Sequence, residues 1–594
     1  MPKFVIITYN EYENESECLK LMKMTKPFYT VREFHNLREL MDQSAQLYPD
    51  RYAFEVKNDK GEHYFITYKD YRNEINALGT ALFDMGFKGG AHIAVSGENC
   101  YEWCLSYLAT VLGSNVIVPI DKELSADDIY GIIEKAEVKL LFCDNKLLKK
   151  LDRERIKDVI IVNFRQKEDA DGVLSLEKLV SKGRKLLSAG KKEFLEVPID
   201  PEKMCTLLFT SGTTGTSKGV MLCQRNFCSD VALAMSVVKI SPDDCGISML
   251  PLHHTYESTI ILFCAPYTGA KVTFCEGFKY VLRNMKEFSP SIFVSVPLIL
   301  ETVHRKLMKA VREKPHGEFK FKLGSVICKA AAKVGIDLKK VFFKEIQETF
   351  GGAMRLIICG AAPINPQILK DFDAFGIQII FGYGLTECSP LVILNNDRLH
   401  LAESIGVPLP EVEAKIINPD EKGVGEICVR GPMVMLGYYQ NEEATREVID
   451  EDGFFHTGDL GRVDSKGRFY ICGRSKNVIV TDNGKNIFPE ELEYHLSLNH
   501  VIADSLVYGE EDKKGKLAVS AKIFPDYAEV KEVLGKDEVS DEEVEQVIKE
   551  AVDKTNSEVP SFKRITRFSI RKTEFIKTTT SKIQRFKKEN LNDE

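Results

Sequence analysis

Ten consecutive residues, Thr210, Ser211, Gly212, Thr213, Thr214, Gly215, Thr216, Ser217, Lys218 and Gly219, carry the strongest chemical suggestion in this chain. They run between the apolar residues 207–209 and 220–222. The pattern predicts a strand, a small-residue loop, and a second strand or helix start. Such a loop exposes many backbone N–H groups and hydroxyls and lets a polyanion approach closely. Lys218 adds a point charge, and a triphosphate is the ligand this chemistry suits. A flexible turn is the plain alternative. The stretch is not a Walker A loop, because Lys218 follows Ser217 and precedes Gly219. Phe381-Gly382-Tyr383-Gly384-Leu385-Thr386-Glu387 makes a second suggestion. Tyr383, between glycines, can lay its ring on a purine. Thr386 offers a hydroxyl to phosphate. Glu387 is a hard oxygen ligand suited to Mg2+ that also binds phosphates. A Gly-rich hairpin with a surface Glu is the alternative here. Asp459, ending His456-Thr457-Gly458-Asp459, can accept two hydrogen bonds from a ribose diol or close an Asx-turn. Gly360-Ala361-Ala362-Pro363 follows the apolar run 356–359. Small residues there let a ligand lie against backbone at a strand's C-terminal end, or make a tight turn.

Positioning these groups requires a scaffold, and the hydrophobic pattern describes one. Residues 37–47 have helical apolar spacing, and 68–87 predict a longer helix with Ile75, Leu78, Leu82 and Phe83 on one face. Residues 92–95 read as strand, 100–112 as helix and 116–119 as strand. That βαβ rhythm implies a parallel sheet covered by helices. Trp103, the only Trp, falls on the second helix and reads as core. The rhythm resumes with a strand at 247–250, a helix at 259–265 and strands at 271–274, 291–296 and 356–359. Residues 303–350 are helical and Lys-rich, most simply a solvated face. From Glu411 the texture changes to short strands with turn signals, which suggests antiparallel β structure as a barrel or separate layer. A helix at 541–554 opens with a capping box, Ser540 and Glu543, and carries Val544, Val547, Ile548, Ala551 and Val552 as its apolar stripe. A boundary is expected near Ser475 and Lys476, so that 1–34 is an N-terminal extension, 35–474 a large domain and 475–594 a small one.

The chain has 594 residues, more than one hydrophobic core holds, so about two to four domains are expected. Its 44% hydrophobic and 28% charged content is that of a globular protein. The net charge of −8 gives no support for nucleic-acid binding. Fifteen scattered cysteines form no CxxC pair, which argues against a zinc site or a disulfide framework and fits reduced thiols in a cytosol. The first residues do not read as a signal peptide. No run of apolar residues is long enough to span a bilayer, so any membrane contact is expected to be peripheral.

TSGTTGTSKGV resembles the phosphate loop of the adenylate-forming enzymes, the superfamily of acyl-CoA synthetases, luciferases and peptide-synthetase adenylation domains. Ser217 stands where that family usually has Pro. GYGLTE matches the family's YGxTE motif at every fixed position, and the Gly360, Ala361, Ala362 segment corresponds to one bordering adenine and the acyl group. LPLHHTYE, residues 250–257, is similar to the LPLxHxxE segment of long-chain acyl-CoA synthetases. That similarity implies that His254, with His253 beside it, lies at the acyl site near the mouth of the CoA channel; proton transfer is not assigned to it. The spacing from Asp459 to GRSKNVI implies that Asp459 is a ribose ligand, Arg474 a second contact near ribose and phosphate, and Lys476 the hinge. TDNGKNIFP resembles a motif of the small domain, implying that Gly484, Lys485 and Asn486 form the CoA side of the site once that domain turns. KTTTSKIQR resembles PKTxxGKIxR, which implies that Lys582 is catalytic; Ser581 replaces the usual Gly.

The motifs occur in the family's order from about residue 35 onward, with wording most similar to long-chain fatty-acid–CoA ligases. The resemblance implies an α/β fold with a large N-terminal domain of helix-covered β-sheets, an antiparallel β-barrel-like layer and a small mobile α+β C-terminal domain. It implies ATP, Mg2+ and coenzyme A acting on a fatty acid, with catalytic roles for Lys582, Thr386, Glu387 and His254. Loading of a carrier protein, or ligand binding without catalysis, are the rival readings. Ala503-Asp504-Ser505-Leu506 resembles a phosphopantetheine attachment triplet but sits in an apolar alternation and reads as a strand.

Overall fold

Local signals set where the helices begin and stop. The hydroxyl of Thr67 accepts the backbone N–H of Asp70 and starts the helix Tyr68–Asp84, whose Ile75, Leu78 and Leu82 are fully buried. Periodicity alone carries this helix to 87. In the computed structural model it stops at Asp84, because Gly86 takes φ +98°, a left-handed conformation that ends the ladder. The structure describes residues 26–592 except 59, 211–216, 315, 333–335, 337, 361–363, 400, 402, 482–484, 512–516, 579–581 and 586. The expected site residues Ser211, Gly212, Thr213, Thr214, Gly215, Ala361, Ala362 and Gly484 therefore lie outside the described residues.

Among the described residues, two large sheets build most of the chain. In one, Val116–Pro119, His92–Ser96, Leu140–Cys143 and Ile160–Asn163 lie side by side and parallel. Met204–Thr210 joins its edge and turns back antiparallel as Lys218–Cys223, with Thr210 opposite Lys218. In the other, Lys271–Phe274, Cys245–Ser248, Ile292–Ser295, Leu356–Cys359 and Gln378–Gly384 are parallel neighbours. Parallel pairing puts the C-terminal ends of these strands on one edge, and the segments holding His254, Gly360 and Thr386 all leave from that edge. Helices pack between and around the sheets over a core that includes Trp103, Tyr107, Phe227 and Phe263. A third, four-stranded antiparallel sheet orders Glu413–Ile417, Gly425–Arg430, Phe455–Val463 and Phe469–Arg474. It is the β layer expected from Glu411 onward, and its last two strands pair Asp459 with Arg474.

Two departures from periodicity have a physical cause. The strand expected at 247–250 is Cys245–Ser248, because the carboxylate of Glu257 takes the N–H of Met249 (2.9 Å) and the hydroxyl of Ser248 (2.8 Å). The helix expected at 259–265 is a π-helical turn, Thr259–Cys264, between the short helices Thr255–Ser258 and Ala265–Thr268. Pro266 brings a ring that would strike the carbonyl four residues back, and the wider turn relieves that clash.

A separate group of buried side chains lies after residue 478, including Ile479, Leu492, Val507, Ile523, Ile548 and Val552. The strands Ile502–Glu511, Leu517–Pro525 and Arg567–Ile570 form its sheet. The helix Asp541–Glu558 covers it, with both halves of the Ser540–Glu543 capping box present at 3.0 and 3.3 Å. Ser505 is buried in the middle of a strand, as the apolar alternation predicts.

Candidate functional site

The strand edges of both large sheets, the four-stranded sheet and the C-terminal group meet around a cleft of about 3150 Å3. Its walls include Thr210, Lys218, His254, Tyr383, Gly384, Thr386, Glu387, Asp459, Arg474, Lys476, Lys485, Asn486 and Lys582. Those residues span most of the sequence, and the fold brings them to one space. Gly360 is buried behind this wall, where a Cβ would stand 3.1 Å from the carbonyl of Gly382. The ring of Tyr256 fixes that corner by donating its hydroxyl to the carbonyl of Ile358 at 2.9 Å.

The anionic side of the cleft is built on backbone geometry. Gly384 ends its strand so close to Pro390 that a Cβ would lie 1.9 Å from the Pro390 carbonyl, so no other residue fits. The chain then turns through Thr386 and Glu387, whose carbonyl accepts the N–H of Met435 at 2.8 Å. The hydroxyl of Tyr438 donates to Glu387 Oε1 at 3.0 Å. Lys218 Nζ stands 4.7 Å over the Tyr438 ring, a cation–π contact. Gly437–Tyr438 pairs with the strand that begins at Lys218, which is why these side chains meet. Lys135 Nζ donates to the Ser217 carbonyl at 3.0 Å and ties down the near end of the hydroxyl-rich loop.

Asp459 is buried and doubly engaged. Its Oδ2 accepts the hydroxyl of Tyr383 at 2.7 Å, and its Oδ1 pairs with Arg474 Nε at 2.8 Å. Burial works against the charge on Arg474, but Asp459 foremost, with Tyr383 and Glu387, raises its pKa above the usual value. Burial, and secondarily Asp459, raises the Tyr383 phenol well above its ordinary range.

Lys582 enters from the C-terminal group on a short hairpin. The bridge Lys577–Ile583 closes it, and the N–H of Lys582 donates to Thr578 Oγ1 at 3.1 Å. Lys577 Nζ pairs with Asp504 at 2.7 Å. Arg585 donates to the Val507 carbonyl at 3.0 Å and pairs with Glu493. The motif's outer cations therefore anchor the hairpin, and Lys582 is exposed to the cleft. Lost solvation lowers its pKa, Arg474 adds to that, and Asp459 opposes it. His254 lies within electrostatic reach of Lys582. Burial and His253, whose ring centre is 4.1 Å away, hold His254 well below the usual imidazole range. Burial pushes His253 down to about 3. Glu257 is pushed up to about 8 by burial, against its bonds from Ser248 and Met249. The cleft thus combines a cationic lysine, a bonded Asp–Arg–Tyr cluster, a carboxylate and neutral acid and imidazole groups.

Lys476 lies in the short turn Ser475–Asn477 between the four-stranded sheet and the C-terminal group. Ser475 Oγ donates to the Gly458 carbonyl at 3.0 Å. Lys485 Nζ sits 4.6 Å over the Phe562 ring. Across the two parts, Arg305 pairs with Asp526 at 2.7 Å and Lys309 with Glu532 at 2.8 Å. Sequence reasoning assigned nothing to Tyr438, Glu257 or Lys135. Tyr438 carries no local signal, since its partners Glu387 and Lys218 are far away in sequence. Glu257 closes the LPLHHTYE segment, but only its burial marks it.

The family described as "AMP-binding enzyme" matches residues 41–439, and "AMP-binding enzyme C-terminal domain" matches residues 476–592. Long chain acyl-CoA synthetase 7, peroxisomal, of Arabidopsis thaliana is 30% identical over 504 residues, covering 79% of this chain and 70% of that protein. Long-chain-fatty-acid–CoA ligase 5 of Rattus norvegicus is 30% identical over 479 residues, 75% of this chain and 69% of that one. Among solved structures, the anthranilate CoA ligase AuaEII in complex with anthranoyl-AMP superposes with a TM-score of 0.73 at 21% identity, over 93% of this chain and 96% of its own. ATP-bound MatB from Rhodopseudomonas palustris gives 0.70 at 23% identity, over 93% and 97%. These two structures share the α/β fold with its large sheet-containing part and smaller C-terminal part.

Proposed function

Since the chain belongs to the AMP-binding enzyme family, we propose that it activates a long-chain fatty acid with ATP and passes the acyl group to coenzyme A. In the first half-reaction a carboxylate oxygen attacks the α-phosphorus and the bond to the β-phosphate oxygen breaks. The products are acyl-adenylate and pyrophosphate. In the second, the coenzyme A thiol attacks the acyl carbon and loses its proton to solvent, and AMP leaves. The long-chain acid and the CoA acceptor are supported by the names of the relatives, and the nucleotide by the family.

We assign the roles as follows. Thr210, Lys218 and Thr386, with residues 211–215, hold the phosphates, Tyr383 and Gly384 border the adenine, and Asp459 with Arg474 takes the ribose. His254 flanks the acyl carbon, where a neutral imidazole leaves the carboxylate's charge to other partners. Lys582 bridges the attacking carboxylate and the α-phosphate, where negative charge gathers in the transition state. A Mg2+ ion travelling with ATP fits Glu387: Tyr438 engages Oε1, and Oε2 is a hard anionic oxygen of the kind Mg2+ takes. When bound there, the ion would neutralise charge on the phosphates. Residues 475–594 are the unit that turns, with Lys476 at the hinge, so that Lys485 and Asn486, with Gly484, reach the site for the thiol step.

One observation carries this reading: Lys582, more than a hundred residues beyond Asp459 and Arg474 in sequence, shares their cleft and their electrostatic field. Lys582→Ala tests it. Fatty-acid-dependent ATP–pyrophosphate exchange should fall about a hundredfold or more, while thioester formation from supplied acyl-adenylate and coenzyme A stays near wild type. Equal loss of both half-reactions would overturn the assignment.

A further inference from the structure

The Lys-rich helical stretch, expected as a solvated face, is not merely solvated. The helix Gly317–Ala332 buries Gly324 and Cys328 on one side and packs Phe321 against Phe343 and Phe375. Its opposite side carries Phe319 (67% exposed), Leu323 (47%) and Val326 (64%), with the exposed Ala330 in line. The spacing i, i+4, i+7, i+11 makes one outward apolar stripe. At 100° per residue, Lys320 falls on one flank of that stripe and Lys322 on the other, both exposed. The next helix, Lys339–Phe342, extends the surface with Val341 (72%) and Phe342 (48%). Phe342 lies against Gly324, so the two helices share one patch.

A helix that is apolar inward and outward, with lysines along the outer border, is the pattern of an element lying in a membrane interface. The charge agrees. Residues 305–344 hold twelve Lys and Arg against three Asp and Glu. Arg305, Lys309, Lys314, Lys339 and Lys344 pair with Asp526, Glu532, Glu345, Asp373 and Glu348, and counting those five carboxylates leaves a local excess of four in a chain whose net charge is −8. That excess disfavours pairing of this face with a second copy of the chain, since each would meet its own charge. No helix among the described residues is long and apolar enough to cross a membrane, so contact would stay at the surface. The preceding helix, Pro297–Arg312, starts beside Val296 in the cleft wall and runs about 24 Å to the edge of the patch.

We propose that Phe319, Leu323, Val326, Val341 and Phe342, bordered by Lys320 and Lys322, form a docking surface for an anionic phospholipid bilayer. The apolar side chains enter the headgroup–acyl boundary, and the lysines keep their ammonium groups at the phosphates while their stems line the apolar stripe. The surface is independent of the catalytic reading.

The test is sedimentation of the full chain with vesicles of phosphatidylcholine alone and of phosphatidylcholine with 30% phosphatidylglycerol, a fraction chosen as roughly that of a strongly anionic membrane. Wild type should bind the anionic vesicles, release in high salt, and bind neutral ones weakly. Phe319→Ser with Val326→Ser, and separately Lys320→Glu with Lys322→Glu, should each lower the partition coefficient about tenfold or more. Both double variants should keep wild-type circular dichroism and wild-type turnover of a water-soluble acid. Absence of wild-type binding, or equal binding by folded variants, would overturn the proposal. So would a concentration-dependent dimer that the variants abolish while vesicle binding is unchanged.

Discussion

Glu257 gives the structure its most quantitative consequence. Its carboxyl is fully buried, accepts from Ser248 and Met249, and titrates at about 8 instead of 4.5 because burial penalises the charged form. At neutral pH the folded chain keeps this proton and the unfolded chain does not. The unfolded state therefore binds fewer protons, and stability falls as pH rises. The loss starts near 4.5 and levels off near 8. At roughly 1.4 kcal/mol per pH unit it reaches about 3 kcal/mol at neutral pH. Glu257→Gln keeps an oxygen to accept both hydrogen bonds and has no proton to lose. The variant should match wild type closely at pH 5 and become progressively more stable than wild type toward pH 8. The probe is built in, since Trp103 is the only Trp and is buried in the same core. Its neighbour Cys104 lies within the field of Glu257. Urea unfolding followed by Trp fluorescence at several pH values measures the gap. Parallel wild-type and variant curves, or a gap that closes as pH rises, would refute the reasoning.

Tyr438→Phe removes the hydrogen bond to Glu387 while leaving the ring under Lys218. Pyrophosphate exchange should fall about tenfold with a raised Mg2+ requirement, as expected for a lost bond to a charged acceptor, and an unchanged Mg2+ titration would count against the assignment. Arg305→Ala with Lys309→Ala removes the two ion pairs to Asp526 and Glu532. Both pairs are partly exposed, so each is worth under about 1 kcal/mol; adenylation should drop only a few-fold, and the thiol half-reaction should hold or rise. Asp504→Asn unties Lys577 from the C-terminal sheet, and adenylation should fall several-fold while urea unfolding followed at Trp103 shows no change.

What the sequence discloses depends on how local the physics is. The helix at Asp541 is legible from four residues, because a capping box is closed within one turn. The strand entering Thr210 is legible from its apolar run, whereas the element after Lys218, open in the sequence between strand and helix start, is settled as a strand only by its pairing with Met204–Thr210. The strand at Cys245 is misjudged by two residues, since the group that ends it, Glu257, is on another element and declares itself only by folding back. The face of the 317–332 helix is misjudged more deeply. Lysine content predicts water on that side, but whether Phe319 and Val326 point inward or outward depends on which side Phe343 and Phe375 occupy. Asp504 shows the same limit from another direction: its apolar surroundings place it correctly on a strand, but nothing near it in sequence announces that it holds Lys577.

The anchoring of Lys582 has one more consequence. Lys577 and Arg585 tie its hairpin to Asp504, Glu493 and Val507, all within the C-terminal group. The segment that presents the lysine is thus held to its carrier at both ends. If that carrier turns, arrival of the positive charge and exposure of the opposite face to the thiol become alternatives that no single orientation can satisfy. The order of events would then be enforced by rigid mechanics, with no need for either partner to sense the other.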